Sequence, residues 1–221
     1  MVFEQNLTDD QLKIIEARHH DPFAVLGRHP TKSGVYVRAF LPHTESATVG
    51  NNLPMKRVEG TDIFEWTGRS DDLETPYQIH RTTSQNQIQS HYDPYCFPPQ
   101  ISDYDLYLFA EGKHWHAYRI LGSHKRTVNG VQGVMFATWA PNAQRVSVVG
   151  TFNRWDGRCH PMRSRGSTGV WELFIPGLEI GELYKFEIRN YHDGSLHLKM
   201  DPYCQQAELR PGTASVIFDS N

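Results

Sequence analysis

The chain has 221 residues, 38% hydrophobic and 12% aromatic, enough to pack one large or two ordinary domains. Its net charge of −3 leaves no basic footprint for nucleic acid. No apolar run approaches the roughly 20 residues that cross a bilayer. Met1 to Asp10 has neither the basic start nor the apolar centre of a signal peptide. Neither nucleic acid nor a membrane is therefore expected as a partner. Cys96, Cys159 and Cys204 are odd in number and lack CxxC spacing, which predicts free thiols and a cytoplasmic, reducing location.

The first element in chain order is a helix. Thr8 and Gln11 form the T-x-x-Q pattern of a capping box. Leu7 and Leu12 flank it as a hydrophobic staple, and Asp9 and Asp10 suit the positive end of a helix. Asp21-Pro22 predicts a stop near His20. The rest reads as β. Val35 to Leu41, Ile63 to Trp66 and Tyr77 to Arg81 are apolar or alternating runs punctuated by Gly and Pro. Ser102 to Gly122 reads as a connection, with a strand or short helix around Asp105 to Phe109. Arg145 to Val149, Val170 to Ile175, Tyr184 to Arg189 and Val216 to Phe218 continue the strand pattern. In the third of these, Tyr184, Phe186 and Ile188 alternate with Lys185, Glu187 and Arg189.

Much of this order occurs twice. Gly34-Val35-Tyr36-Val37-Arg38-Ala39-Phe40-Leu41-Pro42 returns as Gly133-Val134-Met135-Phe136-Ala137-Thr138-Trp139-Ala140-Pro141. Asp93-Pro94-Tyr95-Cys96 returns unchanged as Asp201-Pro202-Tyr203-Cys204. The copies lie about 100 residues apart, which predicts two tandem domains of one fold. Several short strands in each imply an all-β chain: two immunoglobulin-like β-sandwich domains, residues 1–110 and 111–221, with a short N-terminal helix.

The copies differ at one place. Val49-Gly50 and Val149-Gly150 correspond, as do Pro54-Met55 and Pro161-Met162. Three residues, Asn51 to Leu53, lie between these anchors in the first copy; ten, Thr151 to His160, lie between them in the second. The added Thr151-Phe152-Asn153-Arg154-Trp155-Asp156-Gly157 sets a large aromatic in a loop among polar groups. Loops on rigid scaffolds carry function, although Trp155 could equally fold back as a plug on its own domain. A ring that stacks on the C–H face of a pyranose, with polar groups for the hydroxyls, makes Trp155, Asn153, Asp156 and Lys185 candidate sugar-binding residues. Lys185 alone also suits an ordinary solvated strand position. Trp139 and Trp171 sit in apolar strands and read as core.

Other chemistry finds little support. His19-His20 would point about 100° apart on a helix, and His114-Trp115-His116 could present two imidazoles on one strand face. Neither pair has a carboxylate or thiol at ligand spacing, so no metal is expected. Cys159-His160 has the composition of a nucleophile and base, but adjacent strand residues face opposite ways. No nucleotide or hydrolase motif occurs, so no catalytic residue and no cofactor is expected.

From Tyr118-Arg119-Ile120-Leu121-Gly122 through Val149-Gly150-Thr151-Phe152-Asn153-Arg154-Trp155-Asp156-Gly157 to Leu209-Arg210-Pro211-Gly212-Thr213, the chain resembles bacterial glycogen branching enzymes of the α-amylase superfamily. Asp21-Pro22-Phe23 and Leu26-Gly27 mark the first hundred residues as similar to the extra N-terminal domain of those enzymes. The resemblance implies that the second domain is a carbohydrate-binding module of family forty-eight. It also implies that the catalytic acids sit on a following (β/α)8 barrel. Such a barrel needs roughly 200 residues or more, so the chain is expected to be the non-catalytic N-terminal part, truncated before it. Its implied partners are α-1,4-glucan (glycogen) and that barrel. By the same resemblance Trp155 corresponds to one sugar-stacking tryptophan and Lys185 to a binding lysine. A second tryptophan is replaced near Asp193-Gly194-Ser195-Leu196. A purely structural scaffold and a free-standing glycan-binding or regulatory module are the alternatives.

Overall fold

The computed structural model describes residues 7–219. The reading of Met1 to Asn6 lies outside them. The chain divides into two compact units, Met1–Cys96 and Phe97–Asn221, each an immunoglobulin-like β-structure.

Unit 1 opens with helix α1 (Asp9–Ile15). Its capping box forms as expected: Thr8 Oγ1 accepts from Gln11 N at 3.2 Å, and Gln11 Oε1 accepts from Thr8 N at 2.9 Å. The helix stops five residues short of the expected His20. Ala17 turns left-handed (φ 50°), Ala17 N donates to Ile14 O and Arg18 N donates to Lys13 O, closing a Schellman motif before the Asp-Pro signal acts. His19 and His20 thus lie beyond the helix and stack, ring centroids 5.3 Å apart. Seven strands follow: β1 (Gly27–Pro30), β2 (Val35–Phe40), β3 (Thr44–Val49), β4 (Leu53–Arg57), β5 (Ile63–Gly68), β6 (Gln78–Thr83) and β7 (Ile88–Tyr92). They pair in the order β1-β2-β5-β4-β3-β6-β7. The path curls, so that Val35, Val37 and Ala39 of β2 and Phe64 and Trp66 of β5 share one core with Val49, Met55 and Ile79 from β3, β4 and β6. Alternation delivers this: inward residues of β2 are i, i+2, i+4.

Unit 2 begins with helix α2 (Asp103–Ala110), capped where Ser102 Oγ accepts from Asp105 N at 3.1 Å. Its strands are β8 (Gly122–Val128), β9 (Val131–Trp139), β10 (Ala143–Gly150), β11 (Arg163–Ser164), β12 (Val170–Pro176), β13 (Leu183–Asn190), β14 (Leu196–Lys199), β15 (Gln206–Ala207) and β16 (Ser215–Val216). One sheet runs β11-β12-β9-β8; the other runs β10-β13-β16-β15, with β14 also on β13. Val134, Phe136, Val146, Val148, Leu173, Tyr184 and Phe186 are buried, and Phe136 meets Tyr184 edge to face at 5.0 Å. Trp171 is buried as expected, but Trp139 is exposed. It is the last residue of β9, its indole N–H donates to Thr168 O at 3.2 Å, and its ring lies against Phe109 of α2.

The segment read as a connection is built into unit 2. The buried Glu172 carboxylate accepts from Gln100 N (3.2 Å), Ile101 N (3.0 Å) and Arg165 Nη1 (2.9 Å), while Arg165 also donates to Ile101 O and Asp103. Arg163 donates to Phe97 O at 2.7 Å. Glu172→Ala leaves Arg165 and two amides without their acceptor. It should lower the stability of the chain by about 3 kcal/mol in urea unfolding, with faster amide exchange at Gln100 and Ile101.

The repeated tetrapeptide forms the same latch in both units. In unit 1 the buried Tyr77 hydroxyl donates to Asp93 Oδ2 at 2.6 Å, and Asp93 Oδ1 accepts from Tyr95 N at 3.0 Å. In unit 2 Tyr184 donates to Asp201 Oδ2 at 2.5 Å, and Tyr203 N donates to Asp201 Oδ1 at 2.8 Å. Gly27 and Gly122, at φ 91° and 102°, pass under these turns. A β-carbon on Gly27 would lie 2.7 Å from Tyr95 O, and one on Gly122 would lie 3.2 Å from Tyr203 O. Leu26 O and Leu121 O each accept from a histidine Nε2, of His29 and His124, at 2.9 Å.

Burial raises the Asp93 carboxyl to about 6, against its hydrogen bonds to Tyr77 and Tyr95. From its ordinary 3.8 up to about 6, native Asp93 keeps a proton that the unfolded chain releases, so the group costs stability as pH rises through that window. Burial lowers His91 to about 4, and its sign is opposite: the unfolded chain takes up the proton first as pH falls. The Asp93→Asn variant isolates the aspartate. Its stability relative to the parent should improve by about 2–3 kcal/mol between pH 4 and pH 7; a pH-independent difference would mean that Asp93 does not titrate there.

Candidate functional site

In unit 1, β3 turns tightly into β4, with Val49 opposite Leu53. In unit 2 the corresponding strand β10 leads instead into the ten-residue loop 151–160, and the chain rejoins β10 only at a bridge between Ser147 and Pro161. The loop begins as a single 3₁₀ turn, Thr151–Asn153. Arg154 and Trp155 then adopt left-handed backbone, φ 58° and 61°, and Asp156 N donates back to Asn153 O at 3.1 Å. That is a turn with positive φ at both central residues, the type I′ pattern usually filled by Asn-Gly. Left-handed backbone costs a non-glycine residue about 1–2 kcal/mol, so two such residues in succession need support from around them.

Asn153 supplies much of that support. Its Oδ1 accepts from Gly150 N at 2.9 Å, its Nδ2 donates to Val148 O at 2.9 Å, and Nδ2 also meets His160 Nδ1 at 2.8 Å. Trp155 N donates to Gly150 O at 3.0 Å. The side chain of Asn153 is buried, with its polar atoms committed to the loop. The structure thus gives Asn153 to positioning rather than to direct contact. The same bond engages His160, which also packs on Phe152, so Cys159-His160 stands as part of the loop frame.

The loop lies over the outer face of β10 and β13. Gly157 O accepts from Arg145 Nη1 at 2.8 Å, and a β-carbon on Gly157 would come within 1.9 Å of Glu187 Oε1. Buried Arg145 donates to Glu187 Oε1 at 2.6 Å and to Ser147 Oγ. Burial pulls the Arg145 pKa below its ordinary value, with the Glu187 hydrogen bond and charge opposing that shift. Lys185 lies opposite Val149 in the β10–β13 register, beside Gly150 where the loop starts, and its Nζ donates to Thr213 Oγ1 at 2.7 Å. Trp155 is 37% exposed, so its ring is partly covered and partly open to solvent. Asp156 binds Arg158 through both carboxylate oxygens, at 2.8–3.2 Å.

Lys185 thus stands on β13 next to the start of the loop that carries Trp155, Asn153 is bonded into the loop base, and Asp156 is paired with Arg158. The outer face of β13 and β14 carries Leu196, from the segment where a second tryptophan is replaced, and Leu198, which sequence reasoning did not single out. Leu198 pairs with Glu187 and Leu196 with Arg189, and both leucines are exposed. Leu196 lies four residues along β13 from Lys185, roughly 13 Å at strand rise. Alternation in Leu196-His197-Leu198-Lys199 was the available signal for Leu198.

Two tandem immunoglobulin-like units, the second with a tryptophan-bearing loop, make up the chain, and family models give their class. Residues 120–204 match the family described as carbohydrate-binding module 48 (isoamylase N-terminal domain). Residues 8–95 match the alpha-1,4-glucan branching enzyme GlgB, N-terminal domain. The chain belongs to the 1,4-alpha-glucan branching enzyme GlgB family, as its N-terminal domains. It is 58% identical to the enzyme of that name from Nitrosococcus oceani, over 93% of this chain and 28% of the relative. It is 57% identical to that of Methylococcus capsulatus (96% and 29%) and 55% identical to that of Cellvibrio japonicus (97% and 30%). The chain thus spans under a third of the length of these relatives.

Removal of the Asn153 amide tests the loop frame. Asn153→Ala strands Gly150 N and Val148 O at the loop base and should cost about 1–3 kcal/mol in unfolding, with Trp155 fluorescence shifting toward that of a solvated indole.

Proposed function

We propose that unit 2 binds α-1,4-glucan on the outer face of β10 and β13, with Trp155 as the stacking ring and Lys185 as a hydroxyl partner. The observation that carries this reading is the exposed indole held on a strained turn. A protein does not gain stability from that arrangement, and a flat pyranose face suits the ring. Thr213, bonded to Lys185, extends the polar edge of the site. Leu196 and Leu198 offer an apolar ledge along the same face. A leucine in place of a second ring stacks less well, so the site is expected to bind weakly. Unit 1 has a tight Gly50–Leu53 turn in place of the loop, so glucan binding is assigned to unit 2 alone.

In the whole protein this region is non-catalytic. Its role there is to place glucan chains for an enzyme that cleaves an α-1,4 linkage and transfers the segment to a 6-hydroxyl. Retaining chemistry of that kind needs two carboxylates about 5 Å apart, and we assign them to a barrel beyond this region. The fold and the cysteines suit a cytoplasmic protein, its partners being glycogen and that barrel. A scaffold role is the second reading, and the exposed Leu196, Leu198 and Leu209 favour it as protein-contacting surface.

Affinity electrophoresis in glycogen-containing gels separates the two. The parent chain should be retarded. Trp155→Ala should lose most of that retardation, a change on the scale of about 1–3 kcal/mol for one stacked ring, while unfolding within about 1 kcal/mol of the parent in urea. An unretarded parent would favour the scaffold reading.

A further inference from the structure

A second site lies elsewhere in unit 2, apart from the Trp155 loop. Helix α2 ends in a Schellman motif: Gly112 turns left-handed (φ 67°) and Lys113 N donates to Leu108 O at 2.9 Å. The chain then runs through 113–116, which is not the strand expected from its alternating histidines, into a 3₁₀ turn at Ala117–Arg119. Between this segment, α2 and β8 lies an open surface pocket of about 570 Å³.

Three properties of its lining point to one ligand chemistry. The first is charge. Lys113, Arg119 and Arg126 face Asp105 as the only acid of the lining. Lys113 is paired with Glu111, and Asp105 is already engaged. Among the described residues, neither Arg119 nor Arg126 has a carboxylate partner. Two unneutralised guanidinium groups suit a phosphate, which they can grip through paired N–H donors. The second is a ring. The Trp115 indole is 91% exposed, an apolar face with no protein against it. The third is a buried polar atom without a partner. The His114 side chain is only 9% exposed, and its Nε2 donates to Asp105 Oδ1 at 2.9 Å. Nδ1, in contrast, has no partner among the described residues. A buried ring nitrogen without a partner calls for a hydrogen-bonding group on the ligand. Inorganic anions lack the ring-sized body, and a neutral sugar leaves the arginines unmatched.

We propose that this pocket binds a sugar phosphate: the phosphate on Arg119 and Arg126, a hydroxyl hydrogen-bonded to His114 Nδ1, and the sugar ring against Trp115. The site is independent of the glucan face, and its occupant is a small anion rather than a polymer.

Calorimetric titration of the full chain with glucose 6-phosphate, inorganic phosphate and glucose tests it. Saturable binding of glucose 6-phosphate, at least about tenfold tighter than either component alone, is expected. Arg119→Ala and Trp115→Ala, both at exposed positions, should each weaken it by about tenfold or more, and Trp155→Ala should leave it unchanged. Equal affinity for inorganic phosphate, absence of saturable binding, or insensitivity to both substitutions at Arg119 and Trp115 would overturn the proposal. Loss of glycogen retardation with glucose 6-phosphate binding intact would fall on the glucan face alone.

Discussion

The hydrogen bond from a buried tyrosine hydroxyl to a buried aspartate, made once in each unit, is the constraint on which both folds depend. In unit 2, Tyr184 sits on β13 and Asp201 on the Asp-Pro-Tyr-Cys turn, so the bond ties a central strand to the chain that must return across the sandwich. The aspartate then has one oxygen left, and a backbone amide two residues on takes it. A carboxylate in this position is costly to bury; burial raises both Asp93 and Asp201 above the usual range. The cost is offset by geometry. The turn that results is tight enough to demand glycine beneath it at Gly27 and Gly122. In unit 1 the same burial, with the charge of Asp93 added, pushes the Cys96 thiol up to about 12. That keeps it protonated and unreactive at neutral pH, so this cysteine serves packing.

With the frame fixed in this way, the two copies are free to differ at their edges. The β3–β4 hairpin of unit 1 places two residues in left-handed backbone, Gly50 and Asn52, both types that tolerate it. The loop of unit 2 places Arg and Trp in that conformation side by side. Such a turn would relax in isolation. It persists because Asn153 ties its base to β10, and because Gly157 fits against an Arg145–Glu187 pair that has no room for a side chain. The strain is thus spread over a strand end, a buried ion pair and a bidentate Asp156–Arg158 contact, and the exposed ring is its visible result.

Much of this was legible in the sequence, and the remainder was hidden for definable reasons. The duplication, the strands and the insertion point follow from spacing, because strand alternation and glycine or proline punctuation are local signals. The capping box at Thr8 was equally local. The early end of α1 was not, since the Schellman close depends on Ala17 accepting a conformation that its residue type disfavours. Asn153 and Asp156 were read as ligand groups because they are polar and adjacent to Trp155. Short amides and carboxylates are also the side chains best able to bond their own loop, and only coordinates distinguish the two uses. Trp139 was read as core from an apolar run, although its place at the end of β9 lets it point outward. Glu172 carried no signal, because its partners are backbone amides some 70 positions away.

The same reasoning separates frame from function in the segment 113–119. His114, Trp115 and Arg119 are not held by the repeated latch, by the sandwich core or by the Glu172 clamp. What fixes them is the left-handed exit of α2 at Gly112 and the His114–Asp105 bond, which lock an imidazole in place while leaving one of its nitrogens unused. A residue that served packing alone would leave no buried ring nitrogen unpaired, since an apolar side chain of similar volume would avoid the desolvation cost of about 1–3 kcal/mol. An indole that served packing within unit 2 would not stand nine-tenths exposed there. The Trp155 turn and this pocket therefore share a physical signature: each carries a local cost that the surrounding fold absorbs and that binding would recover.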